Sequence, residues 1–361
     1  MPLSDNDLAV RSLLGDYTVH FCGARPLSEQ LPAATQPLYV VDERVWQLHR
    51  ESCLRGLYAK QDEVVLLPIS EERKTLAAAE ELYAVMTQRR VRRDTTLISI
   101  GGGITQDITG FVASTMYRGV TWIYAPTTLL AQADSCIGSK TSLNWGRFKN
   151  LIGTMYPPCR VYVHGGFLET LSDTDHFSGL GEVVKLHLVG GAETAAVLEA
   201  ALPALSARDR TAVAGAVRRS LLIKRDFIQD DELDAGRRRM LNFGHCFGHA
   251  IESAGDFSVP HGQAVVAGMM LASLVAKARG LLSAALEARL RERLLRPVLT
   301  APLDERSLDP QAVVAGMRQD KKRTGPKLAL VMLCDDYRLE LVQDLEEAEA
   351  VAALGEMRGL L

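Results

Sequence analysis

Short apolar runs alternate with amphipathic stretches through the first half of the chain, and this alternation limits the fold more than any other feature. The apolar runs with the length of a strand are 38–41, 64–68, 96–100, 120–124 and 160–163. Residues 71–88, between two of these runs, carry Leu76, Ala79 and Leu82 at helical spacing. Strands that alternate with helices form mainly parallel sheets whose two faces are covered. The first half is therefore predicted to be an α/β domain.

The pattern changes to long helical segments in the second half of the chain. Helical apolar spacing recurs in the stretches 211–228, 239–253, 263–279 and 284–295. A late hairpin is predicted from residues 328–333 and 337–342, with Asp335 and Asp336 at its turn. We therefore expect a boundary within 165–180, which separates an α/β domain of residues 1–170 from a mainly helical domain of residues 171–361.

The composition argues against several classes of protein. Of 361 residues, 47% are hydrophobic and 24% are charged, and the net charge is −3, so nothing favours a nucleic-acid partner. The N-terminus lacks the layout of a secretory signal, and the best apolar stretch, 264–276, reaches about two-thirds of a membrane span. The six cysteines show no metal-binding spacing and are interpreted as reduced thiols. These features predict a soluble, cytoplasmic protein without a membrane partner.

A glycine-rich turn follows one of the predicted strands. Residues 98–107 have the pattern of a strand, three successive glycines and the start of a helix. Glycines at 101–103 would let the backbone approach a pyrophosphate, and the helix N-terminus would present free N–H groups to it. Thr127 and Thr128, after the next strand, would add hydroxyl donors at the same edge of the sheet. Because the usual G-x-G-x-x-G spacing is absent, a tight turn without a ligand remains the alternative.

Three residues far apart in sequence have the side-chain types that are typical of a catalytic metal site. Glu182 lies in Gly-Leu-Gly-Glu-Val-Val-Lys, His245 in Asn-Phe-Gly-His-Cys-Phe-Gly-His, and His261 in Pro-His-Gly-Gln-Ala-Val. Two neutral imidazoles and one carboxylate commonly hold zinc and leave a coordination position open for substrate. We therefore predict that these three residues bind one divalent ion. His249, four residues after His245, would lie on the same helical face, although a buried structural pair is the alternative for that segment alone.

Cationic side chains cluster after the strand that ends near Pro126. Lys140 and Lys149 lie there with Asp134 and Asn150, and Lys140 stands in a stretch of small and apolar residues with few other charges. Cationic groups that converge on one cleft suit a phosphorylated or carboxylated substrate. This part of the sequence therefore predicts an anion-binding site.

These motifs, in their order and spacing, resemble those of the sugar phosphate cyclase family and, within it, the 3-dehydroquinate synthases. The resemblance covers residues 64–333. The matching segments are Gly-Gly-Gly-(x)3-Asp at 101–107, Arg-Gly at 118–119, Pro-Thr-Thr-Leu-Leu at 126–130, Asp-(x)5-Lys-Thr-(x)2-Asn at 134–144, Lys-Asn-(x)2-Gly at 149–153, Gly-Leu-x-Glu-Val-x-Lys at 179–185, Asp-Glu-(x)3-Gly-x-Arg at 231–238, Leu-Asn-x-Gly-His-(x)3-His at 241–249, His-Gly-x-Ala-Val at 261–265 and Asp-Lys-Lys at 320–322.

The resemblance implies a Rossmann-like N-terminal domain, a helical C-terminal domain and a homodimer. The implied cofactors are NAD and a divalent metal, zinc or cobalt. The implied substrate is a phosphorylated sugar acid, 3-deoxy-D-arabino-heptulosonate 7-phosphate, which the family converts to 3-dehydroquinate and phosphate in the shikimate pathway of aromatic amino-acid biosynthesis. In that reaction, transient oxidation by NAD precedes phosphate elimination, reduction, ring opening and an intramolecular aldol closure, so no net oxidation occurs.

The resemblance also assigns roles to individual side chains. Those implied for the substrate phosphate are Arg118, Lys149, Asn150 and His249, and those for the carboxylate and ring hydroxyls are Lys140, Lys224, Arg238 and Asn242. Asp134 and Lys185 are expected to orient metal ligands and substrate hydroxyls, and Lys321, or alternatively Lys322, is expected to reach the substrate. The implied NAD contacts are Asp42, Glu71 and Lys74 on the ribose and adenine side, with Gly102, Gly103, Asp107, Thr127, Thr128, Lys140, Lys149, Phe167 and Thr170.

Several positions depart from the commonest synthase pattern. Ser139 replaces a glycine, Gln263 replaces a glutamate, His164 stands where an aspartate is typical, and residues 145–148 replace a segment with Pro and Gly. These departures leave open a specialised cyclase of the amino-dehydroquinate, sedoheptulose 7-phosphate or glucose 6-phosphate type.

The residues retained in the substrate pocket favour a carboxylate-bearing substrate. Relatives whose sugar phosphate substrate lacks a carboxylate tend to alter the residues that are here Arg238, Asn242 and His249. A cationic, hydrogen-bonding pocket that such a substrate left unpaired would be costly. A metal- and NAD-dependent polyol dehydrogenase, which shares the implied architecture, is the alternative from another reaction class; it would release reduced cofactor and lack the lysines at 140, 149, 185 and 224. A binding protein without activity would require the loss of a key group, and none is lost.

Overall fold

The chain folds into two compact units, which divide between Leu171 and Ser172. The computed structural model describes residues 7–146, 148–319 and 327–360. Unit 1 is built on a mainly parallel sheet and unit 2 is mainly helical. The predicted fold class is therefore confirmed.

The strands of unit 1 include all five that the sequence predicts. In chain order they are β1 (Leu8–Val10), β2 (Tyr17–Phe21), β3 (Pro37–Asp42), β4 (Val64–Leu67), β5 (Thr96–Gly101), β6 (Trp122–Pro126), β7 (Lys140–Trp145), β8 (Phe148–Met155) and β9 (Arg160–Val163). Within the described residues of unit 1, seven strands form one sheet in the order β1-β2-β9-β6-β5-β3-β4, parallel except for β1. The predicted strands β9, β6, β5, β3 and β4 lie next to one another in this sheet.

The α-helices in the described part of unit 1 are α1 (Glu43–His49), α2 (Leu76–Gln88) and α3 (Gly103–Thr115); α1 and α3 pack on the sheet, and α2 packs on α3 and β7. The interior strand β5 is buried along its whole length, which explains its mainly apolar sequence. Ile98 and Ile100 from this strand pack with Ile123, Tyr162 and Phe167 in one core cluster. The carboxyl ends of β3, β5 and β6 meet at one edge of the sheet, where the glycine-rich turn begins α3.

A two-stranded hairpin of β7 and β8 lies outside this sheet and packs against α3. A Cβ on Gly153 would lie 2.1 Å from the carbonyl oxygen of Thr141, and one on Gly110 of α3 would lie 2.7 Å from the Thr141 methyl group. Thr154 donates from Oγ1 to Ser114 of α3 at 2.9 Å. The close approach allowed by these glycines fixes the position of the hairpin, which the sequence did not predict.

Unit 2 is organised around one buried helix. Its described elements are α4 (Asp173–Val189), α5 (Ala192–Ser206), α6 (Arg210–Asp230), α7 (His245–Ala254), α8 (His261–Ala278), α9 (Ala284–Leu290), α10 (Pro310–Arg318), β10 (Leu328–Leu333), β11 (Leu339–Leu345) and α11 (Glu347–Arg358). Residues 262–276 of α8 are all buried, and α4, α7, α11 and β10 pack around them. The apolar stretch 264–276 lies within this core helix. In the part of the chain that the structure describes, no helix is both long and apolar enough to cross a bilayer.

Two helices begin later than their apolar spacing predicts. The segment at 71–88 starts as a 3₁₀ turn, Glu71–Arg73, before α2 begins at Leu76. The segment at 239–253 likewise starts within a 3₁₀ turn, Arg237–Asn242, and α7 begins only at His245. Gly244 has a φ of +79°, a left-handed conformation that interrupts the helix and makes His245 the first residue of α7.

Candidate active site

The three predicted metal ligands converge in unit 2. Glu182 comes from the middle of α4, whereas His245 and His261 are the first residues of α7 and α8. Oε1 of Glu182 lies 3.5 Å from Nε2 of His245 and 3.2 Å from Nε2 of His261. One carboxylate and two imidazoles therefore face the same small volume.

Glycines at the helix contacts make this convergence sterically feasible. A Cβ on Gly181, beside the ligand Glu182, would lie 2.3 Å from the carbonyl oxygen of Gly262, and a Cβ on Gly262 would lie 1.7 Å from that of Ser178. The Ser178 hydroxyl accepts a hydrogen bond from the Gly262 amide at 3.0 Å. Helices α4 and α8 thus approach at backbone distance next to Glu182 and His261, and no larger residue fits there.

The electrostatics of Glu182 suit a bound cation. Burial would raise its pKa, but the Lys185 ammonium, 2.5 Å from Oε2, and the His261 imidazole outweigh this and hold the pKa well below its usual range. The side chain is 1% exposed, and among the described residues none gives either carboxylate oxygen a hydrogen bond of normal geometry. A buried carboxylate that stays ionised with both oxygens so placed fits a metal ion.

The carboxylates on either side of His261 favour its protonated form. Burial lowers its pKa, but the carboxylates of Glu252 and Glu182 outweigh that effect and raise the pKa to about 10. A metal must displace this proton to reach Nε2, so metal binding here is coupled to proton release. Glu252, whose Oε2 lies 3.1 Å from Nδ1 of His261, is a neighbour of the site that the sequence did not predict.

His249 belongs to the same cluster. Its ring lies 5.2 Å from that of His245 and 5.7 Å from that of His261, with which it stacks. The nitrogen atoms with which these three histidines could bind a metal lie within 4.8 Å of one another. The structure therefore brings His249 to the metal ligands, where it could contact a group held by the ion.

Three of the four residues implied for the substrate carboxylate and ring hydroxyls lie on α6 and on the turn before α7. Lys224 is a buried residue of α6, and Arg238 and Asn242 belong to the 3₁₀ turn Arg237–Asn242. Asp231, at the end of α6, organises this segment because its carboxylate accepts from the amides of residues 235, 236 and 238. The Arg238 guanidinium donates to the carbonyl of Glu232. The loop that presents the buried Arg238 is therefore ordered by its own hydrogen bonds.

In unit 1, the glycine-rich turn and the two threonines lie together, as predicted. Gly102 caps α3, and a Cβ on it would lie 3.2 Å from the methyl group of Thr128. The Thr127 amide donates to the carbonyl of Gly101 at 3.0 Å. Asp42 ends β3 at the same edge of the sheet, and its carboxylate caps α1 by accepting from the amides of Arg44 and Val45. This edge presents a helix N-terminus beside hydroxyl groups, which suits a pyrophosphate.

Lys74 and Asp107 form a buried ion pair beside this edge. The Lys74 ammonium lies 2.5 Å from Oδ2 of Asp107 and donates to Oδ1 of Asn150 at 2.6 Å. Ser142 of β7 donates to Asp107 from both its amide, at 2.9 Å, and its hydroxyl, at 3.0 Å. Glu71 accepts from Asn144 at 2.8 Å and lies 3.8 Å from the ammonium of Lys149. The predicted residues thus meet, with Ser142 and Asn144 as further members of the network.

Other predicted residues are placed differently. Arg118 follows the C-terminal end of α3, a 13-residue helix, so about 20 Å of helix separates it from the glycine-rich turn. Phe167 is 1% exposed in the core and packs edge-on against His49, whose Nε2 lies 2.7 Å from the Thr170 hydroxyl. The Phe167 side chain is therefore occupied by core packing, and only its backbone could serve a cofactor.

The remaining predicted residues are Asp134, Lys140 and Lys321. Asp134 lies in a π-helical turn, Ala131–Ser135, after β6, and Lys140 is the exposed first residue of β7. Lys321 and its alternative Lys322 lie outside the described residues.

Known proteins match this chain over both units. The N-terminal family model of 3-dehydroquinate synthase matches residues 64–178, and the C-terminal family model matches residues 179–323. A 3-dehydroquinate synthase of Dictyoglomus turgidum (strain DSM 6724 / Z-1310) is 34% identical over 308 residues, which are 85% of this chain and 86% of the relative.

Solved structures show the same fold. A 2-epi-5-epi-valiolone synthase from Streptomyces hygroscopicus subsp. jinggangensis 5008, with NAD+ and Zn2+ bound, is 27% identical with a TM-score of 0.83 and covers 96% of this chain and 97% of its own. A 2-deoxy-scyllo-inosose synthase complexed with carbaglucose-6-phosphate, NAD+ and Co2+ is 22% identical with a TM-score of 0.84, over 97% and 99% of the two chains. Taken with the ligand geometry and the family models, these matches mean that the chain belongs to the 3-dehydroquinate synthase family.

Proposed function

We propose that the protein converts 3-deoxy-D-arabino-heptulosonate 7-phosphate to 3-dehydroquinate and phosphate. The observation that carries this proposal is the convergence of Glu182, His245 and His261, with the buried Oε1 of Glu182 facing both imidazoles. The proposal is supported by membership of the 3-dehydroquinate synthase family, which both family models show.

The proposed cofactors are NAD and one divalent metal, zinc or cobalt, held by these three ligands. When bound, the metal supplies Lewis acidity at a substrate oxygen and NAD supplies a transient acceptor for hydride. The edge of the unit 1 sheet, with Gly102, Thr127 and Thr128, would hold the pyrophosphate of NAD through backbone N–H and hydroxyl donors. Lys185 keeps Glu182 ionised, which a metal ligand requires.

The chain's own side chains favour a substrate with two anionic groups. Lys224 and Arg238 are both buried in unit 2, and a substrate carboxylate would offset the cost of burying these cations. His249, beside the proposed metal ligands, would contact the substrate phosphate. A neutral sugar phosphate has no carboxylate for Arg238, so the specialised cyclases that act on such substrates are the second candidate.

A substrate panel tests the reaction. The purified protein, loaded with zinc and NAD, is given heptulosonate 7-phosphate, sedoheptulose 7-phosphate or glucose 6-phosphate, while phosphate release and reduced-nicotinamide absorbance are followed. We expect phosphate release from the heptulosonate alone, with no net accumulation of reduced cofactor. Turnover of a neutral sugar phosphate would assign a specialised cyclase, and stoichiometric reduced cofactor without phosphate would assign a dehydrogenase.

We infer that the working unit is a homodimer in which Arg118 serves the substrate phosphate of the second copy. Within its own chain, Arg118 lies at the end of α3 opposite to the glycine-rich turn. Tyr117 and Arg118 are exposed, and both adopt left-handed backbone conformations, with φ values of +53° and +64°. The cytoplasmic location stays a prediction.

Subunit mixing tests the role of Arg118. The variants Arg118→Ala and His261→Ala should each be inactive alone. Random mixing of the two should restore about a quarter of wild-type activity, because half of the dimers are hybrids with one intact site. No recovery in verified hybrid dimers would place Arg118 in the site of its own chain.

A further inference from the structure

Glu252 holds a buried carboxylate against one of the proposed metal ligands. Its Oε2 lies 3.1 Å from Nδ1 of His261, while Nε2 of the same ring lies 3.2 Å from Oε1 of Glu182. Glu252 is only 4% exposed. The His261 ring therefore bridges two buried carboxylates, one at each nitrogen.

The position of Glu252 follows from the geometry of α7. It comes seven residues after His245, which is two helical turns, so it shares a face with His245 and His249. A Cβ on Gly248 would lie 3.0 Å from the carbonyl oxygen of Ala264, and one on Gly268 would lie 1.9 Å from that of Gly244. Because α7 and α8 are in backbone contact at these glycines, the distance between Glu252 and His261 is set by rigid packing.

An imidazole that binds a metal through Nε2 must carry its proton on Nδ1. A carboxylate that accepts a hydrogen bond from Nδ1–H fixes this tautomer, orients the ring and makes Nε2 a stronger donor. The second histidine is held differently, since Nδ1 of His245 lies 3.3 Å from the carbonyl oxygen of Phe243. Nδ1 of His261 therefore faces a carboxylate, whereas Nδ1 of His245 faces a neutral carbonyl.

We propose that Glu252 is a positioning residue of the metal centre, which directs Nε2 of His261 toward Glu182 and increases its affinity for the ion. This inference rests on the proposed metal site but not on the identity of the substrate. A carboxylate that only stabilised the fold would be the alternative. Glu287 of α9 is such a case, since it is 3% exposed and accepts from Nε of Arg291 at 3.0 Å.

Glu287 supplies the matched control for an experiment on metal affinity. The full-length variants Glu252→Gln, Glu252→Ala and Glu287→Gln are stripped of metal, and zinc affinity is measured by competition with a chromogenic chelator. Loss of an outer-shell partner of a ligand weakens metal binding about 10- to 100-fold. We expect about tenfold weaker binding for Glu252→Gln, which keeps a hydrogen-bond acceptor, and up to about a hundredfold for Glu252→Ala. Glu287→Gln should bind zinc like the wild type.

Cobalt substitution gives a second readout that does not depend on turnover. The visible absorption bands of bound Co2+ report ligand geometry, so they should shift in both Glu252 variants and stay unchanged in Glu287→Gln. Wild-type zinc affinity with an unaltered cobalt spectrum in Glu252→Gln would overturn the proposal, even if the variant melts at a lower temperature. Should Glu252→Ala fail to fold, Glu252→Gln alone decides.

The variant His261→Ala separates this inference from the proposed site. If His261→Ala retains zinc with wild-type affinity, the ligand assignment itself is wrong and the role of Glu252 is overturned with it. If His261→Ala loses zinc but both Glu252 variants retain it, only the positioning role is overturned. Loss of zinc affinity in all of these variants, graded as above, supports both.

Discussion

The two units each contain a buried carboxylate with a lysine 2.5 Å away, yet the two pairs are built for different purposes. In unit 1, Asp107 pairs with Lys74 and both of its oxygens also accept hydrogen bonds from Ser142. In unit 2, Glu182 pairs with Lys185 but, within the described residues, neither oxygen accepts a hydrogen bond of normal geometry. Burial raises the pKa of Asp107 more than Lys74 lowers it, whereas the charges around Glu182 overcome burial and lower its pKa. Both oxygens of Asp107 thus have protein hydrogen-bond donors, whereas the oxygens of Glu182 are placed to bind a cation.

This difference predicts where substitutions act. Removing a member of the Glu182 cluster should change metal retention, because the ion supplies the interactions that the cluster lacks. Removing a member of the Asp107 network should change the stability of folding, because its partners are all protein groups.

The largest expected effect is that of His261→Ala. Loss of this ligand should release the metal and reduce turnover at least about a thousandfold, since metal polarisation is worth several kcal/mol. The measurements are metal content after dialysis and the rate of phosphate release. The Lys74→Met variant is the control and should retain a full complement of metal. Equal metal content in His261→Ala and the wild type would contradict the claim that the Glu182 cluster of unit 2 binds the metal.

The second prediction concerns Lys74→Met. This change removes the charge partner of Asp107, and breaking a buried pair by removing one partner costs about 3 kcal/mol. Urea unfolding should show this loss in the free energy of unfolding. The double variant Lys74→Met/Asp107→Leu should regain most of it, because no unpaired charge remains buried. If the free energy of unfolding of Lys74→Met lay within about 0.5 kcal/mol of the wild-type value, the Lys74 ammonium would not be what stabilises the Asp107 network.

The third prediction is that Gln263→Glu destabilises unit 2. The Gln263 amide donates to the carbonyls of Phe177 and Val298 at 2.9 and 3.0 Å, and its oxygen accepts from the amides of Thr300 and Ala301 at 2.7 and 2.9 Å. A carboxylate can accept but cannot donate, so the two carbonyls would face a negative charge at a cost of about 2 kcal/mol.

The effect of Gln263→Glu should depend on pH. Burial and the two carbonyls raise the pKa of the new carboxyl in the folded state, so its stability deficit grows as the pH rises above its unfolded value of about 4.3. Thermal melts at pH 5 and pH 8 measure this trend. The exposed Gln311→Glu variant is the control and should show no such trend. A deficit that shrinks with rising pH would contradict the hydrogen-bond assignment.

The sequence was sufficient for features that depend on local periodicity. The strands β3, β5 and β9 are continuous apolar runs, and the long helices of unit 2 follow their apolar spacing, so both could be predicted. The convergence of Glu182, His245 and His261, which we propose as metal ligands, could be predicted because each residue lies in a distinctive local motif. Gln263 stands where a glutamate is typical, and the structure shows that its amide donates two hydrogen bonds that an ionised glutamate could not supply.

Features set by packing at long sequence separation could not be predicted. The hairpin of β7 and β8 has little apolar alternation, and its register depends on contact with α3. Ser142 and Glu252 gain their roles only from partners on other elements. The Arg-Gly motif at 118–119 does not reveal that Arg118 lies at the end of α3 opposite to the glycine-rich turn. His164, which stands where an aspartate is typical, caps the turn Gly165–Thr170, since its Nδ1 accepts from the Gly166 amide at 3.1 Å.

The smallest effect is expected for Ser139→Gly, at the entrance to the hairpin that carries Ser142. Ser139 is 6% exposed and has a φ of +66°, where a residue with a Cβ is disfavoured. Glycine relieves this strain, so the free energy of unfolding should rise by up to about 1 kcal/mol. Ser139→Ala keeps the Cβ and removes the hydroxyl, so it should not stabilise the protein. If both variants lose equal stability in urea unfolding, the Ser139 hydroxyl outweighs the backbone strain. The Asp107 network of unit 1 would then depend on the Ser139 hydroxyl as well as on Lys74 and Ser142.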